Sequence, residues 1–534
     1  MEQEIAKAEG LIPDKLPEEI LEKKTDYTIV IISCIMLVPF ILWGIVSPSG
    51  FNEAMNTALN FFTTNFDWSY LLIATGFVVF LLLVAFGKFG KLKLGKADDK
   101  PEYSTLSWYA MLFSVGMGIG VLFWGVAEPL YHYLSPPYGA AASAESAEIA
   151  MRYSFFHWGI HPWTMFAVVA LPMAYFAFRH NMPCSISATF YPLLKEKTWG
   201  IIGKIIDAFA IFATIGGVVT SIGLGALQIN SGLNFVFDIP SNNTVQLIII
   251  ILATIIFTYS ALRGVSKGIK IFSEASFYIG IALMLFLLLF GPAGFLLDTF
   301  CQSFGAYIQN IIPMSFWTDF IGQSGWGGGW TIFYWAWWIA WAPFVGTFFA
   351  KISKGRTIKE FIVGCIFFPT IFDCIWFSIF GGSGLYQEIF KHAGIGALVQ
   401  QDVSTAVFLL LKQYPLFTLT AILTVIAAAS FFINSADAAV FTAGMLTQKG
   451  TLEPNKKIKV FWGAICGLAA AVLLFSGGLG ALQTASIVAA FPFMIIMVIM
   501  CVSLVKLLKR DMKEFEMQEL ELKELELKEL KQLG

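Results

Sequence analysis

Apolar runs of roughly 20 residues recur along this chain from Tyr27 to Leu507, and each is long enough to cross a membrane as a helix. Lipid offers no water to the backbone, so a spanning segment of this kind must satisfy its own hydrogen bonds by being helical. Of the 534 residues, 57% are hydrophobic and 13% are charged, whereas roughly a quarter of the residues in soluble proteins are charged. The sequence therefore predicts an all-α polytopic membrane protein.

Twelve transmembrane helices are predicted from these runs. They fall near residues 27–46, 69–86, 105–133, 147–178, 199–236, 244–262, 270–293, 328–350, 359–381, 404–448, 459–476 and 481–507. In the tenth region, a segment around Lys412–Pro415 is expected to lead into the membrane-spanning helix without being part of it. The first 26 residues lack a signal-peptide pattern, so we expect the first span to remain an uncleaved helix.

Lysine and arginine accumulate in alternate loops. The loop 87–100 carries five lysines, and three or more basic residues occur in each of the loops near 179–204, 263–270, 351–359 and 449–459. The segments 47–67 and 294–327 carry none, and 382–403 carries only Lys391. Because basic loops favour the cytoplasmic side, both termini are predicted to be cytoplasmic in a protein of the plasma membrane.

The segment 294–327 is predicted to be an external surface helix and hinge, with five spans before it (3–7) and five after it (8–12). Two halves with odd span numbers insert in opposite orientations, which predicts an inverted-topology repeat with a site near mid-membrane. The predicted divisions are a cytoplasmic N-terminal segment 1–26, two peripheral spans with a basic loop 27–104, a first repeat 105–293, the hinge 294–327, a second repeat 328–507 and a cytoplasmic, helical, acidic tail 508–534.

The third span contains "FSVGMGIGVLFWGVAEP", residues 113–129. Gly116, Gly118 and Gly120 weaken the helix and would expose backbone carbonyls to an ion or substrate. The alternative is close helix packing, since Gly116 and Gly120 also form a G-x-x-x-G pattern. Glu128 lies beyond the glycines and is predicted near the external mouth, as a gate or as a simple helix cap.

The fourth span contains "HWGIHPWTMF", residues 157–166. His157 and His161 are four residues apart and could share a metal, but no further ligand converges in sequence, so a metal site is disfavoured. Trp158, Trp163 and Phe166 are the stronger candidates for a binding role. Pro162 is expected to kink the helix.

The eighth span contains "WAWWIAWAPF", residues 335–344. Trp337 and Trp341 share a helix face with Trp338 alongside, and Phe333 extends the stripe. Trp335 points elsewhere, towards lipid or a neighbouring helix. The basic residues that follow the span place the stripe well inside the membrane rather than in an interfacial belt. Aromatic faces there suit a cation without hydrogen-bond donors, such as a quaternary ammonium group.

The tenth span contains three polar residues, Asn434, Ser435 and Asp437, within an apolar run. Polar side chains inside a membrane are candidates for function. Hydrogen bonding between helices is the alternative, and the sequence leaves both open.

The motifs "GMGIG", "HWGIHPW" and "WAWWIAWAPFVG" with "ISKGRTIKEF" resemble the betaine/carnitine/choline transporter family, and the resemblance covers about residues 27–507. It implies a twelve-helix fold with two inverted five-helix repeats, a homotrimer, and transport of substrates that carry a trimethylammonium group. By the same resemblance, Trp158, Trp163, Phe166 and Trp338 are similar to the family's aromatic box. Trp341, Phe333 and Trp337 resemble the lining of the path towards the cytoplasm, and Met117 lies beside the substrate.

The resemblance also implies a sodium site. Its ligands would be the backbone carbonyls of Ser114, Met117 and Phe431 and the side-chain oxygens of Asn434 and Ser435. Sodium-coupled relatives often carry a hydroxyl residue at the position of Asn434. A second sodium site would lie in the fifth span, where Thr220 and Ser221 are the nearby hydroxyls. Residues 211–228 lack the basic residue of the family's sodium-independent antiporters, which favours symport.

We therefore expect a sodium-coupled symporter for glycine betaine or choline, with sodium as the coupling ion and no other cofactor. The alternatives are a sodium-independent exchanger of carnitine-like substrates, a sensor that binds ligand without accumulating it, and an intramembrane enzyme acting on choline-containing lipids. An enzyme would need a buried acid–base or nucleophile constellation, and the five histidines offer none. The sequence gives no indication of nucleic-acid binding. The acidic tail is expected to be solvated or associated with a trimer.

Overall fold

The protein is all-helical in the computed structural model, which describes residues 10–22, 24–263 and 265–533, without the side chains of residues 114, 263–273 and 533. Outside the helices of the described residues, one isolated β-bridge joins Lys93 and Thr357. The principal helices are α1 (Tyr27–Val46), α2 (Pro48–Asn65), α3 (Asp67–Phe86), α4 (Thr105–Gly116), α5 (Gly120–Leu134), α6 (Ala144–Trp158), α7 (Ile160–Ala174), α8 (Ile201–Phe237), α9 (Asn243–Arg263), α10 (Val265–Phe290), α11 (Ala293–Ser315), α12 (Phe333–Ile352), α13 (Ile358–Ile389), α14 (Phe417–Leu446) and α15 (Lys456–Leu533). The all-α prediction is confirmed.

Nine helices in the described part of the chain are long and apolar enough to cross a membrane, and a bent pair formed by 274–290 and 293–315 would make ten. The count of twelve and the inverted repeat stay predictions. Two differences explain why ten spans and not twelve are found when the bent pair is included. The third span is divided into α4 and α5, each shorter than a crossing. The eleventh and twelfth spans are joined in α15 across a non-helical break at Gly477 and Gly478.

The break in the fourth span lies three residues before Pro162. The helix is interrupted at Gly159, between α6 and α7, whereas Pro162 lies within the first turn of α7, where a proline is tolerated. A Cβ on Gly159 would lie 2.7 Å from the hydroxyl oxygen of Tyr307. That hydroxyl accepts a hydrogen bond from the backbone N–H of Ile160 at 3.0 Å. Because Pro162 has no N–H to donate to the Trp158 carbonyl, a break on its N-terminal side agrees with the predicted kink, and Tyr307 of α11 contacts the same break.

A helix also occurs in the segment 47–67, which the span count leaves as a loop. Pro48 occupies the first turn of α2, a position for which its fixed φ is suited. Phe51 and Met55, four residues apart, form the buried face of this helix.

The predicted basic loops contact one another on one face of the molecule, which we call the basic face. In the loop 87–100, Leu94 N–H donates to the Arg356 carbonyl at 2.8 Å, and the Gly95 carbonyl accepts from Arg179 Nη1 at 3.2 Å. A Cβ on Gly450 would lie 2.8 Å from the backbone of Cys184. The loops 87–100, 179–204, 351–359 and 449–459 therefore share this face. The basic residues near 263–270 lie outside the described side chains.

The helix α12 is the most enclosed of the nine candidate spans, with 94% of its most apolar window buried, against 28% for α1. It packs against α7, α8 and α15. The four tryptophans of "WAWWIAWAPF" are consequently inside the protein rather than against lipid, each 0–1% exposed. This burial makes α12 the centre of the candidate site.

Candidate functional site

The glycines of the third span both break the helix and admit aromatic rings. The interruption covers Met117, Gly118 and Ile119, and Gly118 has a φ of +51°, a conformation that favours glycine. A Cβ on Gly118 would lie 2.2 Å from the Trp341 ring. A Cβ on Gly116 would lie 2.3 Å from the Trp163 ring. The interpretations of an interrupted helix and of close packing therefore both hold.

The four residues of the predicted box form a connected set of rings. Trp158 and Trp338 have centroids 4.9 Å apart, Phe166 and Trp338 6.0 Å apart, and Trp163 and Phe166 5.8 Å apart. Their planes cross at 75°, 88° and 87° respectively. All four side chains are 2% exposed or less. In each of these pairs the edge of one ring meets the face of the next, so the four residues form one continuous aromatic cluster, which we call the cage.

The predicted path residues continue the cage along α12. Trp337 stacks on Trp338 at 5.0 Å and on Phe333 at 5.5 Å. Trp341 lies 5.6 Å from Trp337 and 6.5 Å from Phe166, and its ring borders Gly118. The aromatic stripe therefore leads from the cage to the break in the third span.

Trp335 takes no part in the cage. Its ring stacks on His161 at 5.1 Å with an interplanar angle of 12°, and it is 0% exposed. Of the two alternatives left by the sequence, it faces a neighbouring helix, α7, and not lipid.

Each indole N–H of the cage is bonded to another part of the protein. Trp158 donates to Glu128 Oε2 at 2.8 Å, and Trp163 donates to Asp373 Oδ2 at 2.7 Å. Trp338 donates to the backbone carbonyl of His157 at 3.0 Å. These bonds fix the orientations of the rings and occupy their N–H groups. What each indole can offer a ligand is therefore the face of its ring, which attracts cations.

Glu128 is the centre of a buried polar cluster. The carboxyl is 0% exposed and lies in the middle of α5, so the predicted role as a helix cap is wrong. Besides Trp158, its partners are Tyr334 Oη at 2.6 Å, His157 Nδ1 at 2.7 Å and His132 Nε2 at 3.2 Å. Of these contacts, sequence spacing indicates only the one with His132, which is four residues away on the same helix. Tyr334, by contrast, is 206 residues away.

The two histidines singled out by the sequence do not act as a pair. His161 contacts Ser315 Oγ at 3.1 Å through Nε2, whereas His157 joins Glu128. The ligand atoms of Glu128, His132 and His157 lie within 4.8 Å of one another, close enough to hold a metal ion. Their mutual hydrogen bonds account for this arrangement without an ion.

Asp373 is a site residue that the sequence analysis missed. It is a carboxyl within the apolar segment "FFPTIFDCIWF" of α13, and an ionisable residue inside a span is a functional candidate by default. Its contact with Trp163 bridges 210 residues. Only the fold brings α13 to the cage.

The predicted sodium ligands of α14 lie beside the break in the third span. Ser435 Oγ would be 3.2 Å from a Cβ on Gly118, and it donates to the Phe431 carbonyl at 3.1 Å. Asn434 and Ser435 are both 2% exposed. This arrangement places side-chain oxygens next to an interrupted helix, which suits a cation.

The other predicted sodium ligands belong to the third span. Met117 occupies the break between α4 and α5 and is 1% exposed. Ser114 lies in the last turn of α4, and its side chain is outside the described part of the chain. The last four carbonyls of a helix have no helical partner, so both residues lie where carbonyls become available to a cation.

Asp437 and Thr220 take part in contacts between helices. Ser260 Oγ donates to Asp437 Oδ2 at 2.5 Å, which joins α9 to α14. Thr220 Oγ1 donates to the Leu482 carbonyl at 2.6 Å, which joins α8 to α15. For Asp437, interhelical hydrogen bonding is therefore the interpretation that the structure supports. Ser221 Oγ donates to the Gly217 carbonyl of its own helix at 3.4 Å.

The chain is similar over most of its length to proteins of one known family. A family model described as BCCT, betaine/carnitine/choline family transporter, matches residues 28–513. A probable glycine betaine transporter of Desulfitobacterium hafniense (strain Y51) is 44% identical over 494 residues, which cover 92% of this chain and 99% of that protein. The glycine betaine transporter OpuD of Bacillus subtilis (strain 168) is 47% identical over 479 residues, covering 89% and 93%. The osmo-dependent choline transporter BetT2 of Acinetobacter baylyi (strain ATCC 33305 / BD413 / ADP1) is 38% identical over 483 residues, covering 90% and 70%. This chain belongs to the betaine/carnitine/choline family, and it is a multi-pass membrane transporter and not an enzyme.

Proposed function

We propose that the protein imports a trimethylammonium compatible solute, glycine betaine or choline, by sodium-coupled symport. The observation that carries this proposal is the cage of Trp158, Trp163, Phe166 and Trp338, whose three indole N–H groups are bonded elsewhere. A trimethylammonium group has no hydrogen to donate, so it requires ring faces and not acceptors. The names of the relatives, which include glycine betaine and choline transporters, support the same substrate class.

The coupling ion in this proposal binds where the broken third span meets α14. Its ligands are the carbonyls of Ser114, Met117 and Phe431 with the side-chain oxygens of Asn434 and Ser435. The closeness of Ser435 to Gly118 supports this placement. Sodium there would stabilise the bent third span against α14 while Trp341 connects the same break to the substrate cage. Alternating access would follow from rocking one repeat against the other around the site.

We also propose that the two inverted repeats comprise residues 105–293 and 328–507, on either side of the hinge 294–327. The protein would form a homotrimer in the plasma membrane with both termini in the cytoplasm. The contacts among the basic loops support this orientation of the termini, because the loops rich in Lys and Arg share one face and such loops favour the cytoplasmic side. The 114° bend between the segments 274–290 and 293–315 supports a surface helix.

Uptake into proteoliposomes tests the proposal directly. Labelled glycine betaine, choline, carnitine and proline betaine are each offered with and without an inward sodium gradient. We expect glycine betaine or choline to accumulate only with the gradient. Uptake that is the same without sodium would instead establish the rival, a sodium-independent exchanger, and counter-flow against internal carnitine would then identify it. Binding without accumulation under either condition would identify a sensor.

A further inference from the structure

The two cage tryptophans of the fourth span share an unusual feature, a carboxyl group as the acceptor of the indole N–H. Trp158 is bonded to Glu128 of α5, and Trp163 is bonded to Asp373 of α13. The carboxyls are 0% and 2% exposed. Trp338, by contrast, uses a backbone carbonyl. Two different helices thus each place one acidic group directly behind a wall of the cage.

The hydrogen bonds around Glu128 are those of a carboxylate. Trp158 and Tyr334 both reach Oε2, and the two histidines reach Oε1. The tautomer of His157 with its hydrogen on Nδ1 donates to Glu128 and accepts from Thr331 Oγ1 on Nε2, at 2.9 Å. All four partners can therefore donate, which matches the acceptor capacity of an ionised carboxyl group.

Neither carboxyl has a lysine or arginine partner in the part of the chain that the structure describes. Among the described residues, Glu128 pairs only with His132 and His157, and no ion pair involves Asp373. Asp373 Oδ1 lacks a hydrogen-bond partner in the same part of the chain. A nearby positive charge offsets the cost of a buried carboxylate, and a buried carboxyl without one keeps its proton. In this proposal Asp373 is therefore ionised when a cation occupies the cage, because that cation is the group in the best position to supply the positive charge.

The chemistry of the indole ring explains why an acid behind it matters. Cation–π attraction depends on the negative potential at the ring face. A carboxylate that accepts the N–H polarises the indole through the hydrogen bond and adds its own negative potential in a medium of low dielectric. A neutral acceptor of the same shape would hold the ring in the same orientation through a weaker hydrogen bond, with less polarisation and without the added negative potential.

We propose that Glu128 and Asp373 are charge-selectivity residues of the cage, which give it its preference for a cation over a neutral molecule of the same shape. They are positioning residues, since they act through Trp158 and Trp163. The inference rests on the proposed function and deepens it. It predicts that the charge of the two carboxyls, and not only their hydrogen bonds, sets the affinity for a trimethylammonium group.

A pair of isosteric ligands separates charge from shape. Choline carries the trimethylammonium cation, and 3,3-dimethylbutan-1-ol is neutral because carbon replaces the nitrogen. The dissociation constants of both are measured on purified protein by calorimetry, at saturating sodium. In Glu128→Gln and in Asp373→Asn, we expect choline binding to weaken about tenfold, on the scale of one charge interaction at low dielectric. Binding of the neutral isostere should not change.

Controls keep the test decisive. Asp207→Asn alters a buried carboxyl whose hydrogen-bond partner is Ser187 and not a cage residue. In this variant the ratio of the two dissociation constants should equal that of the wild type. Glu128→Asp and Asp373→Glu keep the charge and should retain most of the preference. Thermal unfolding without ligand identifies any variant that fails to fold. If the variant of one carboxyl does not fold, the variant of the other carboxyl provides the test.

The outcomes are distinct. A loss of choline binding with an unchanged isostere supports the proposal. Equal weakening of both ligands, or no change in either, would assign that carboxyl to structure alone and overturn its selectivity role. If the wild type bound neither choline nor glycine betaine, the proposed function itself would fail, whatever the variants did.

Discussion

Trp338 occupies the point where the helices of the cage meet. Its ring contacts Trp158 and Phe166 edge to face and stacks on Trp337, and its N–H is held by the His157 carbonyl. These ring contacts and the hydrogen bond together fix the position and the orientation of the Trp338 ring. Trp338 therefore connects the cage residues of α6 and α7 to the aromatic stripe of α12.

Replacing that ring should weaken substrate binding strongly. A desolvated cation–π contact contributes about 2 kcal/mol, so Trp338→Leu should raise the Kd for glycine betaine about thirtyfold. Calorimetry on purified protein measures the change. Trp335→Leu is the matched control, because it removes a buried indole of the same helix that stacks on His161 outside the cage. Normal binding and uptake of glycine betaine by Trp338→Leu would refute the cage assignment.

Ser435 is the side chain through which the sodium proposal is most directly tested. Ser435→Ala removes one oxygen ligand, so the sodium concentration for half-maximal uptake should rise about tenfold, since a bond to a charged group contributes roughly 1.5–3 kcal/mol. Substrate affinity at saturating sodium should stay unchanged. Thr424→Ala, which removes a hydroxyl that donates to the Thr420 carbonyl in the same helix, should alter neither quantity. An unchanged sodium dependence in Ser435→Ala would remove this residue from the ion site.

At the scale of the helix, the interruption between α4 and α5 depends on Gly118. The residue has a positive φ and no room for a side chain, since a Cβ would meet the Trp341 ring at 2.2 Å. The sequence predicts a weak helix here from the glycines alone. It does not predict that Trp341, more than 200 residues later, presses against the break.

Gly118→Ala should therefore abolish transport, with uptake below about a tenth of the wild-type rate. Backbone strain contributes roughly 1–2 kcal/mol, and the collision with Trp341 adds to it. Gly478→Ala is the control for strain alone, because Gly478 also has a positive φ but has no atom within 4 Å of an added Cβ. Uptake is compared per amount of folded protein in the membrane. Equal activity of the two variants would contradict a specific role for the contact with Trp341.

At the scale of the whole molecule, the distribution of charge predicts the orientation. The contacts among the basic loops define one face, and α11 belongs to the segment 294–327 that lacks Lys and Arg. Cys301 lies on α11 and is exposed. It is therefore a natural probe of the opposite face.

A membrane-impermeant maleimide added to intact cells should label Cys301. Cys301→Ser should lose the label, and Asp98→Cys in a Cys301→Ser background should be labelled only after the membrane is opened, because Asp98 lies in the basic loop 87–100. Labelling is measured by the mass shift of the purified protein. The reverse pattern would show that the basic face is external.

The N-terminal segment is attached to the basic face through Asp26. Its carboxylate accepts from the Thr28 N–H at 3.0 Å and pairs with Lys204 at 3.0 Å, and its backbone N–H donates to the Thr447 carbonyl at 2.8 Å. Burial raises the pKa of Asp26, but the hydrogen bond and charge of Lys204 outweigh burial, so the pKa lies below its ordinary value of 3.8.

Because the pKa is lowered on folding, the contribution of Asp26 to stability is present above pH 3.8 and is lost as the pH falls through the lower, folded value. Asp26→Asn should therefore unfold at a lower temperature than the wild type at about pH 6, and the difference should shrink as the pH falls below 3.8. Thermal unfolding in detergent measures this. Asp98→Asn, an exposed carboxylate, serves as the control. A difference that persists at low pH would show that the Lys204 pair is not its cause.

The sequence by itself determined the class of this protein, because apolar length, basic loops and aromatic spacing act locally along the chain. It predicted the bounds of α1 to the residue, the broken third span and the family, and its assignment of the cage residues stays a prediction. The tertiary structure alone decided which side chains meet across hundreds of residues. Glu128 and Asp373 behind the indoles, Tyr307 at the fourth-span break and Trp341 against Gly118 are contacts between distant helices. Such contacts depend on how helices pack, and no local pattern records that packing.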